Sequence, residues 1–579
     1  MLIGLSVFLS VLVYVQTLSY EFVYDDIPFI TEEPGIRDIK NIPGMFLKKE
    51  VLDEVRGGYY KPLLHISFAI DYYLWGLNPL GFHLSNIALH AIGVALVFFL
   101  SLRLLKGPIA AFVSSIFFGV HPVNTEAVTF LSARNTVLCA IFIVSAFLAS
   151  MRYKEGRALR WLFISLLLFF FGLLSKEFAV MLPFVMLAGW FLEDKTQRQR
   201  FNVYIPYFVV LLIYLVLRSI ALKGGTGIDM KIIEAPERIG GMLYAFASYI
   251  RLSFIPFEQK ALYDISTVTS LKVIASAIVL LVAIWVIFKN KHRAWVGFPA
   301  LWFLGFLVPV TNIVPLFGSF MAERYLYIPL IGAGIFIGGI FSALPERRIK
   351  AVAFTVFLLV LAMMSLLRNP VWRSDEALYS NMVKTTPTSY KGSYNLGNVM
   401  LRKGNLNEAK RLYLKTLEVK PDMMAVRNNL GVIYEKQENY KEAEKQYRAI
   451  LDVRPIPDVF LNLGNALSKQ GKVRLKEAED AYKTAIGLSP KGFRLYVALT
   501  EFYERTERPA LALEVMNSAI GNIPDPYRAY NIAGTVLGKI GRFKEARSYF
   551  VKALELNPEC RECRYNMDVL SRLEKAQKK

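Results

Sequence analysis

Apolar runs recur through the first 367 residues. They lie near 2–19, 83–102, 108–120, 136–151, 161–175, 178–192, 203–221, 271–288, 295–313, 325–343 and 350–367. A helix needs about 20 mostly apolar residues to cross the hydrocarbon core of a bilayer. The eleven runs therefore predict a polytopic helical membrane domain, with the runs at 108–120 and 161–175 on the short side. A hydrophobic share of 54% in 579 residues and a mean hydropathy of +0.37 fit the same class. The first run, Leu2 to Leu18, has no basic segment before it and no small-residue cleavage site. It reads as an uncleaved membrane helix rather than a signal peptide.

Short loops between the runs carry an alternating basic bias. One side holds Arg103 and Lys106; Arg152, Lys154, Arg157 and Arg160; Lys195, Arg198 and Arg200; Lys289, Lys291 and Arg293; and Arg347, Arg348 and Lys350. The other side holds Arg134, Lys176 and Arg324 and little other basic charge. Positive loops face the cytoplasm. The N-terminus is then cytoplasmic and the polar C-terminal third extracytoplasmic. A further apolar stretch, Ile239 to Phe257, carries Arg251 and is read as interfacial or re-entrant. If it spanned, the last three basic loops would fall on the wrong side. The net charge of +21 is thus largely a matter of topology rather than a footprint for nucleic acid.

After Asn369 and Pro370 the character changes to a repeat with a period near 34. Gly397, Gly431, Gly464, Leu499 and Gly534 form one column, and Ala409, Ala443, Ala478, Ala512 and Ala546 a second. Tyr413, Tyr447, Tyr482, Met516 and Phe550 form a third, and Pro421, Pro455, Pro490, Pro524 and Pro558 a fourth. This is the signature of tetratricopeptide (TPR) repeats. Small residues let the two helices of a repeat approach, the aromatic fills the hole between neighbouring repeats, and Pro ends the second helix. The expected fold is all-α: a membrane domain over 1–370, with a first outer loop at 20–82, then a TPR α-solenoid over 371–579. The solenoid comprises a half-repeat at 375–387, five repeats over about 390–560 and a C-terminal cap helix.

No Gly-rich phosphate loop of the Walker or Rossmann type is present. Three cysteines exclude a disulfide framework. Cys139 belongs to an apolar run, and Cys560 and Cys563 are either plain thiols or one local disulfide.

Charged residues at membrane depth are costly and mark function. Here they gather in the outer loops: Tyr24-Asp25-Asp26, Tyr59-Tyr60-Lys61-Pro62-Leu63, Gly81-Phe82-His83 with Asn86 and His90, His121-Pro122 with Glu126, Ser132-Ala133-Arg134-Asn135, Ser175-Lys176-Glu177, Thr311-Asn312 and Ala322-Glu323-Arg324-Tyr325-Leu326-Tyr327. Adjacent carboxylates raise one another's pKa, which suits a general base. A solvated acidic turn with a capping role accounts for the same pair, and spacing alone favours it.

Among these, Tyr24-Asp25-Asp26, Tyr60-Lys61-Pro62-Leu63, Gly81-Phe82-His83 with Asn86 and His90, His121-Pro122 with Glu126-Ala127-Val128, Ser175-Lys176-Glu177 and Ala322-Glu323-Arg324-Tyr325-Leu326-Tyr327 resemble the motifs of the transmembrane-and-TPR-repeat-containing protein O-mannosyltransferases and their prokaryotic relatives, within the GT-C superfamily of membrane glycosyltransferases. The resemblance implies an inverting hexosyltransferase that uses a polyprenyl-phosphate sugar, with mannose the first choice. The acceptor would be a Ser or Thr hydroxyl of a protein on the extracytoplasmic side. It implies Asp25 or Asp26 as general base and Arg324, Lys61 and Lys176 as ligands of the donor phosphate. Glu323 and Glu177 would orient those cations. His83, Asn86, His121, Glu126 and Arg134 would support substrate, and the repeats would recruit the acceptor. No cofactor and no metal are assigned, though paired carboxylates are a donor set for a divalent ion. Two departures bear on donor and acceptor identity: Lys61 stands where relatives often have Arg, and the Gly-Arg-plus-acid motif expected near Ala133-Arg134-Asn135-Thr136 lacks its Gly and its acid. A noncatalytic TPR scaffold for envelope assembly is the rival reading. It explains the repeats and leaves the outer charges without a use. A transporter of lipid-linked sugar would show inverted repeats, and none is visible.

Overall fold

The computed structural model describes residues 1–47, 60–192, 201–222, 235–293, 295–310, 320–345 and 347–577. Tyr59, the basic loop with Lys195, Arg198 and Arg200, and Thr311-Asn312 lie outside the described residues. Every regular element among the described residues is helical. The chain forms two compact units, Met1–Leu396 and Gly397–Lys579.

In the first unit, six helical stretches are long and apolar enough to cross a membrane: Leu2–Ser19, Pro79–Leu105, Leu131–Gly156, Phe201–Ala221, Ser270–Asn290 and Arg348–Trp372. Five shorter apolar helices, Pro108–Val120, Leu159–Ser175, Glu177–Phe191, Gly297–Val310 and Pro329–Ala343, overlie the remaining runs. Length and composition thus qualify six helices, against the eleven crossings expected from the runs. The 108–120 helix is bounded by Pro108 at its first turn, where a missing N–H is harmless, and by Pro122 beyond its end. The stretch with Arg251 is also helical, over Ala235–Phe254, and the Arg251 guanidinium turns back onto the Phe257 carbonyl at 2.8 Å.

Two features mark this unit as one built for lipid. Leu271, Ile274, Ile278, Leu281, Trp285 and Phe288 all stand exposed on one helix, and Val352, Val356, Leu359, Met363 and Leu367 form an exposed stripe on another. Bands of this size are untenable against water. Helix contact also depends on small residues, as in membrane bundles. A Cβ added at Gly338 would lie 2.1 Å from Ser114 Oγ and 2.5 Å from the Ala110 carbonyl oxygen.

The second unit repeats one contact. A Cβ on Gly431 would sit 2.4 Å from the Tyr447 ring, and the equivalent approaches are 2.8 Å for Gly464 on Tyr482 and 2.8 Å for Gly534 on Phe550. The aromatic therefore packs first on the glycine of its own repeat. It also reaches the next repeat, as expected from sequence: the Tyr482 and Phe502 rings are 5.3 Å apart. In the fourth repeat Leu499 and Met516 take these places, both buried. A flexible Met accommodates the bulk that the missing glycine no longer makes room for. Each second helix ends shortly before its column proline, for instance at Val419 before Pro421 and at Leu488 before Pro490. Cys560 and Cys563 form a local disulfide where the last helix, Arg561–Gln577, begins.

Gly431→Ala is expected to destabilise the array by about 1–3 kcal/mol through overpacking against Tyr447. Gly487→Ala, with open space at its Cβ, is expected to stabilise it by up to about 1 kcal/mol. Chemical denaturation of the two full-length variants beside wild type checks both signs.

Candidate active site

The first apolar helix ends in a 3-10 turn, Val15–Ser19, and the backbone is extended at Tyr20, where the loop begins. At Tyr24 the backbone enters the left-handed region, φ 51°, and there the two adjacent carboxylates part. Asp26 is fully buried. Its Oδ1 accepts hydrogen bonds from Ser132 N at 2.8 Å and Ser132 Oγ at 2.6 Å, and its Oδ2 accepts from Val23 N at 3.2 Å. Burial pushes its pKa up to about 7, against the lowering effect of those bonds and with some help from Asp25. Asp25 is half-buried and close enough to Lys61 and Arg324 to interact electrostatically with both. Asp26 thus fastens the loop after the first apolar helix to the Ser132 loop, and Asp25 lies within electrostatic reach of Lys61 and Arg324.

Three cations converge on that side. Lys61 precedes the helix Pro62–Trp75, Lys176 separates Leu159–Ser175 from the turn after it, and Arg324 is the second residue of the 3-10 turn Glu323–Leu326. Burial lowers the Lys176 pKa well below its ordinary value, and the charges of Lys61 and Arg324 lower it further. Its Nζ donates to Thr136 Oγ1 at 2.6 Å and lies over the rings of Phe178 and Tyr325, at 4.6 and 5.3 Å. Burial also lowers the Lys61 pKa, with Glu177 opposing and Arg324 adding to the effect. Arg324 forms an ion pair with Glu126, whose Oε2 also accepts the Arg324 backbone N–H at 2.9 Å. The Arg324 side chain keeps 22% exposure while Glu126 keeps 2%. Lys61, Lys176 and Arg324 thus stand close enough to disfavour one another's charge.

Of the other residues expected at the site, Glu126 and Glu177 join the cations, and Glu323, Arg134, Asn86, His121 and His83 are engaged elsewhere. Glu323 does not orient Arg324. Its carboxylate faces away, accepting from Lys260 N at 2.7 Å, Tyr263 OH at 3.0 Å and Gln259 Nε2 at 3.1 Å, and pairing with Arg368 at 3.3 Å. Glu126 holds Arg324 instead, because Glu126 and the Arg324 backbone meet across two loops that sequence spacing cannot relate. Arg134 is fully buried in an ion pair with Asp71 at 2.6 Å, and it donates to Asn86 Oδ1 and to the Phe82 carbonyl at 2.9 Å. Asn86 in turn donates to the Val128 carbonyl at 2.9 Å. Arg134 and Asn86 thus form a packing network behind Asp26. His121 is buried, with Nδ1 on Val123 N at 3.3 Å and Nε2 on the Ser253 carbonyl at 3.2 Å, and burial pushes its pKa down to about 3. His83 is buried edge-on to Tyr20, ring centroids 6.3 Å apart. Glu177 is half-buried and joins the cation cluster, acting on both lysines.

Sequence reasoning passed over Arg218, which interacts electrostatically with Lys61. Its position near the end of an apolar run was the available signal. It also passed over Thr136, and no signal in the chain announced that partner of Lys176. Among the described residues, no three His, Cys, Asp or Glu side chains converge as a metal site.

Comparison with known proteins bears on this arrangement. A family profile described as dolichyl-phosphate-mannose-protein mannosyltransferase matches residues 62–222, and tetratricopeptide profiles match 391–456, 461–527 and 527–560. A protein O-mannosyl-transferase of Caenorhabditis elegans is 26% identical over 437 residues, which is 71% of this chain and 62% of that protein. Human protein O-mannosyl-transferase TMTC3 is 23% identical over 96% of this chain and 68% of its own length. Human TMTC4 is 26% identical over 70% of this chain and 64% of its own length. The chain thus spans about two thirds of the relatives it matches. The resemblance read from the motifs is shown by these matches, and it extends over both halves of the chain.

A test of the Asp26 fastening follows from its pKa. A carboxyl with a folded value near 7 and an ordinary value of 3.8 binds its proton more tightly folded than unfolded. Folding stability then falls as pH rises from about 4 to 7, by at most about 4 kcal/mol at 1.36 kcal/mol per pH unit. Asp26→Asn cannot ionise and escapes this loss. The melting temperature of the variant relative to wild type should therefore climb between pH 5 and 7.5. A difference that is flat across this range refutes the raised value.

Proposed function

We propose that this chain, a relative of the TPR-bearing protein O-mannosyl-transferases, transfers a sugar from a polyprenyl-phosphate carrier to Ser or Thr hydroxyls of proteins. Mannose is the first candidate sugar. The observation that carries the reading is the convergence of Asp25 with Lys61, Lys176 and Arg324 in loops at the ends of apolar helices. A lipid-phosphate donor needs both parts: cations for the phosphate head and apolar helices beside them for the tail.

Asp25 is assigned as the general base. Asp26 is poorly suited, since both of its oxygens already accept hydrogen bonds and burial favours its neutral form. In the reaction Asp25 takes the hydroxyl proton and the acceptor oxygen attacks the anomeric carbon. The bond from that carbon to the phosphate oxygen breaks, with inversion, and its electron pair leaves with the lipid phosphate. The departing phosphate gains a second negative charge. Arg324, Lys61 and Lys176 interact more strongly with two charges than with one, so their contribution is greatest where the barrier lies. The neighbours that disfavour the Lys176 charge are themselves cations, and an arriving phosphate anion reverses that balance. Glu126 holds the Arg324 guanidinium from one side and leaves the other for bidentate contact with phosphate.

We place the site and the repeats on the extracytoplasmic side, following the basic loops, and assign recruitment of the acceptor protein to the repeats. A noncatalytic scaffold has no use for a cluster of cations held against their mutual repulsion.

Purified full-length protein in nanodiscs should transfer mannose from polyprenyl-phosphate mannose to Ser/Thr peptides. Asp25→Asn should reduce kcat by about 10²–10⁴, and Arg324→Ala by about 10²–10³. Full activity in Asp25→Asn removes the base assignment. Peptide capture by the protein without transfer from any donor of a polyprenyl-phosphate sugar panel moves the reading to the scaffold.

A further inference from the structure

The stretch 373–388 touches the candidate site from two sides. At its start, Asp375 Oδ1 accepts the Tyr24 backbone N–H at 2.9 Å, and the Arg373 carbonyl accepts the Glu21 N–H at 3.1 Å. Tyr24 is the residue with φ 51°, a conformation that a bulky side chain adopts only when its surroundings hold it there. Its ring packs against Phe130 at 6.2 Å and against Tyr379, on the helix Asp375–Thr385, at 6.3 Å. Asp25 is the next residue, so the bond at Tyr24 N fixes the Val23–Tyr24 peptide from which the turn at Tyr24 carries the chain into Asp25.

At the far end of the same helix, Thr386 Oγ1 donates to the Leu262 carbonyl at 2.6 Å and Thr388 Oγ1 to Asp264 Oδ2 at 3.4 Å. That loop presents Lys260 N and Tyr263 OH to Glu323, one residue before Arg324. The helix therefore bridges the proton-accepting side of the site and its phosphate-binding side. It falls wholly within the unit Met1–Leu396, although its sequence reads as the first half of a repeat array. The N-terminal cap of the helix is supplied by Ser374, whose Oγ accepts Ala377 N at 3.3 Å. Capping therefore does not account for Asp375.

We propose that the half-repeat helix Asp375–Thr385 is a built-in part of the site and that Asp375 is a positioning residue, which aims Asp25 at the acceptor hydroxyl by holding the backbone of Tyr24. The aim depends on Asp25 being the base, as assigned above. The hold on Tyr24 does not.

The experiment separates the two. Full-length wild type, Asp375→Ala, Asp375→Asn and Glu376→Gln are compared in nanodiscs by backbone hydrogen exchange over residues 20–28 and by the mannose transfer assay. Asp375→Ala should raise exchange in that segment at least tenfold and lower kcat at least tenfold, with the acceptor KM changed less than twofold. Asp375→Asn keeps an oxygen acceptor for Tyr24 N and should stay within threefold of wild type in kcat. Glu376→Gln removes the other first-turn acid of the same helix and should match wild type in both readouts. Unchanged exchange over 20–28 in Asp375→Ala overturns the proposal, whatever the activity. Raised exchange with undiminished kcat overturns the aiming role. An equal loss in Glu376→Gln reduces Asp375 to a helix-end charge and overturns the proposal as well. If wild type transfers no sugar while exchange still depends on Asp375, the base assignment at Asp25 falls and the hold on Tyr24 stands.

Discussion

The ion pair between Glu126 and Arg324 joins two loops that are 198 residues apart in sequence. A buried carboxylate tolerates such a place only when a cation and good hydrogen bonds compensate its lost hydration. Glu126 obtains both from one residue, accepting the Arg324 guanidinium on one oxygen and the Arg324 backbone N–H on the other. Breaking a buried pair by removing one partner typically costs about 3–5 kcal/mol, because the remaining charge stays uncompensated. The pair thereby fixes Arg324 in a cluster where Lys61 and Lys176 push against it. The electrostatic character of the site follows from that enforced crowding.

Around this pair the loops are tied together by carboxylates with separate duties. Asp26 binds the backbone and hydroxyl of Ser132, Glu323 gathers the 259–263 loop and Arg368, and Asp71 neutralises Arg134. Each satisfies donors that would be orphaned so close to an apolar interior. Asp26, Glu323 and Asp71 are buried in these contacts, and Asp25 and Glu177 are half-buried within electrostatic reach of the cations.

The repeat array depends on a different rule. Its Gly–aromatic contact is local, recurs at a fixed spacing and needs no partner outside adjacent repeats. That is why four columns of residues sufficed to locate its helices and why the departure in the fourth repeat, Leu499 with Met516, was visible in advance. The helix Asp375–Thr385 is the exception. Its sequence continues the helical pattern of the array, yet it also bonds to the Tyr24 and 262–264 loops of the first unit.

The chain by itself determined the two architectures, the helices of both, and the set of polar motifs from which the site is drawn. Those features rest on hydrophobic runs and on short-period repeats, which are read along one strand of sequence. Only the tertiary structure decided which member of each motif faces the site. Asp25 and Asp26 are neighbours of identical chemistry, and Glu323 and Arg324 are neighbours in one motif. What separates them is the position of Ser132, Glu126 and the 259–263 loop, partners 60 to nearly 200 residues away. Burial and charge pairing act through space, and a linear reading holds no measure of those distances.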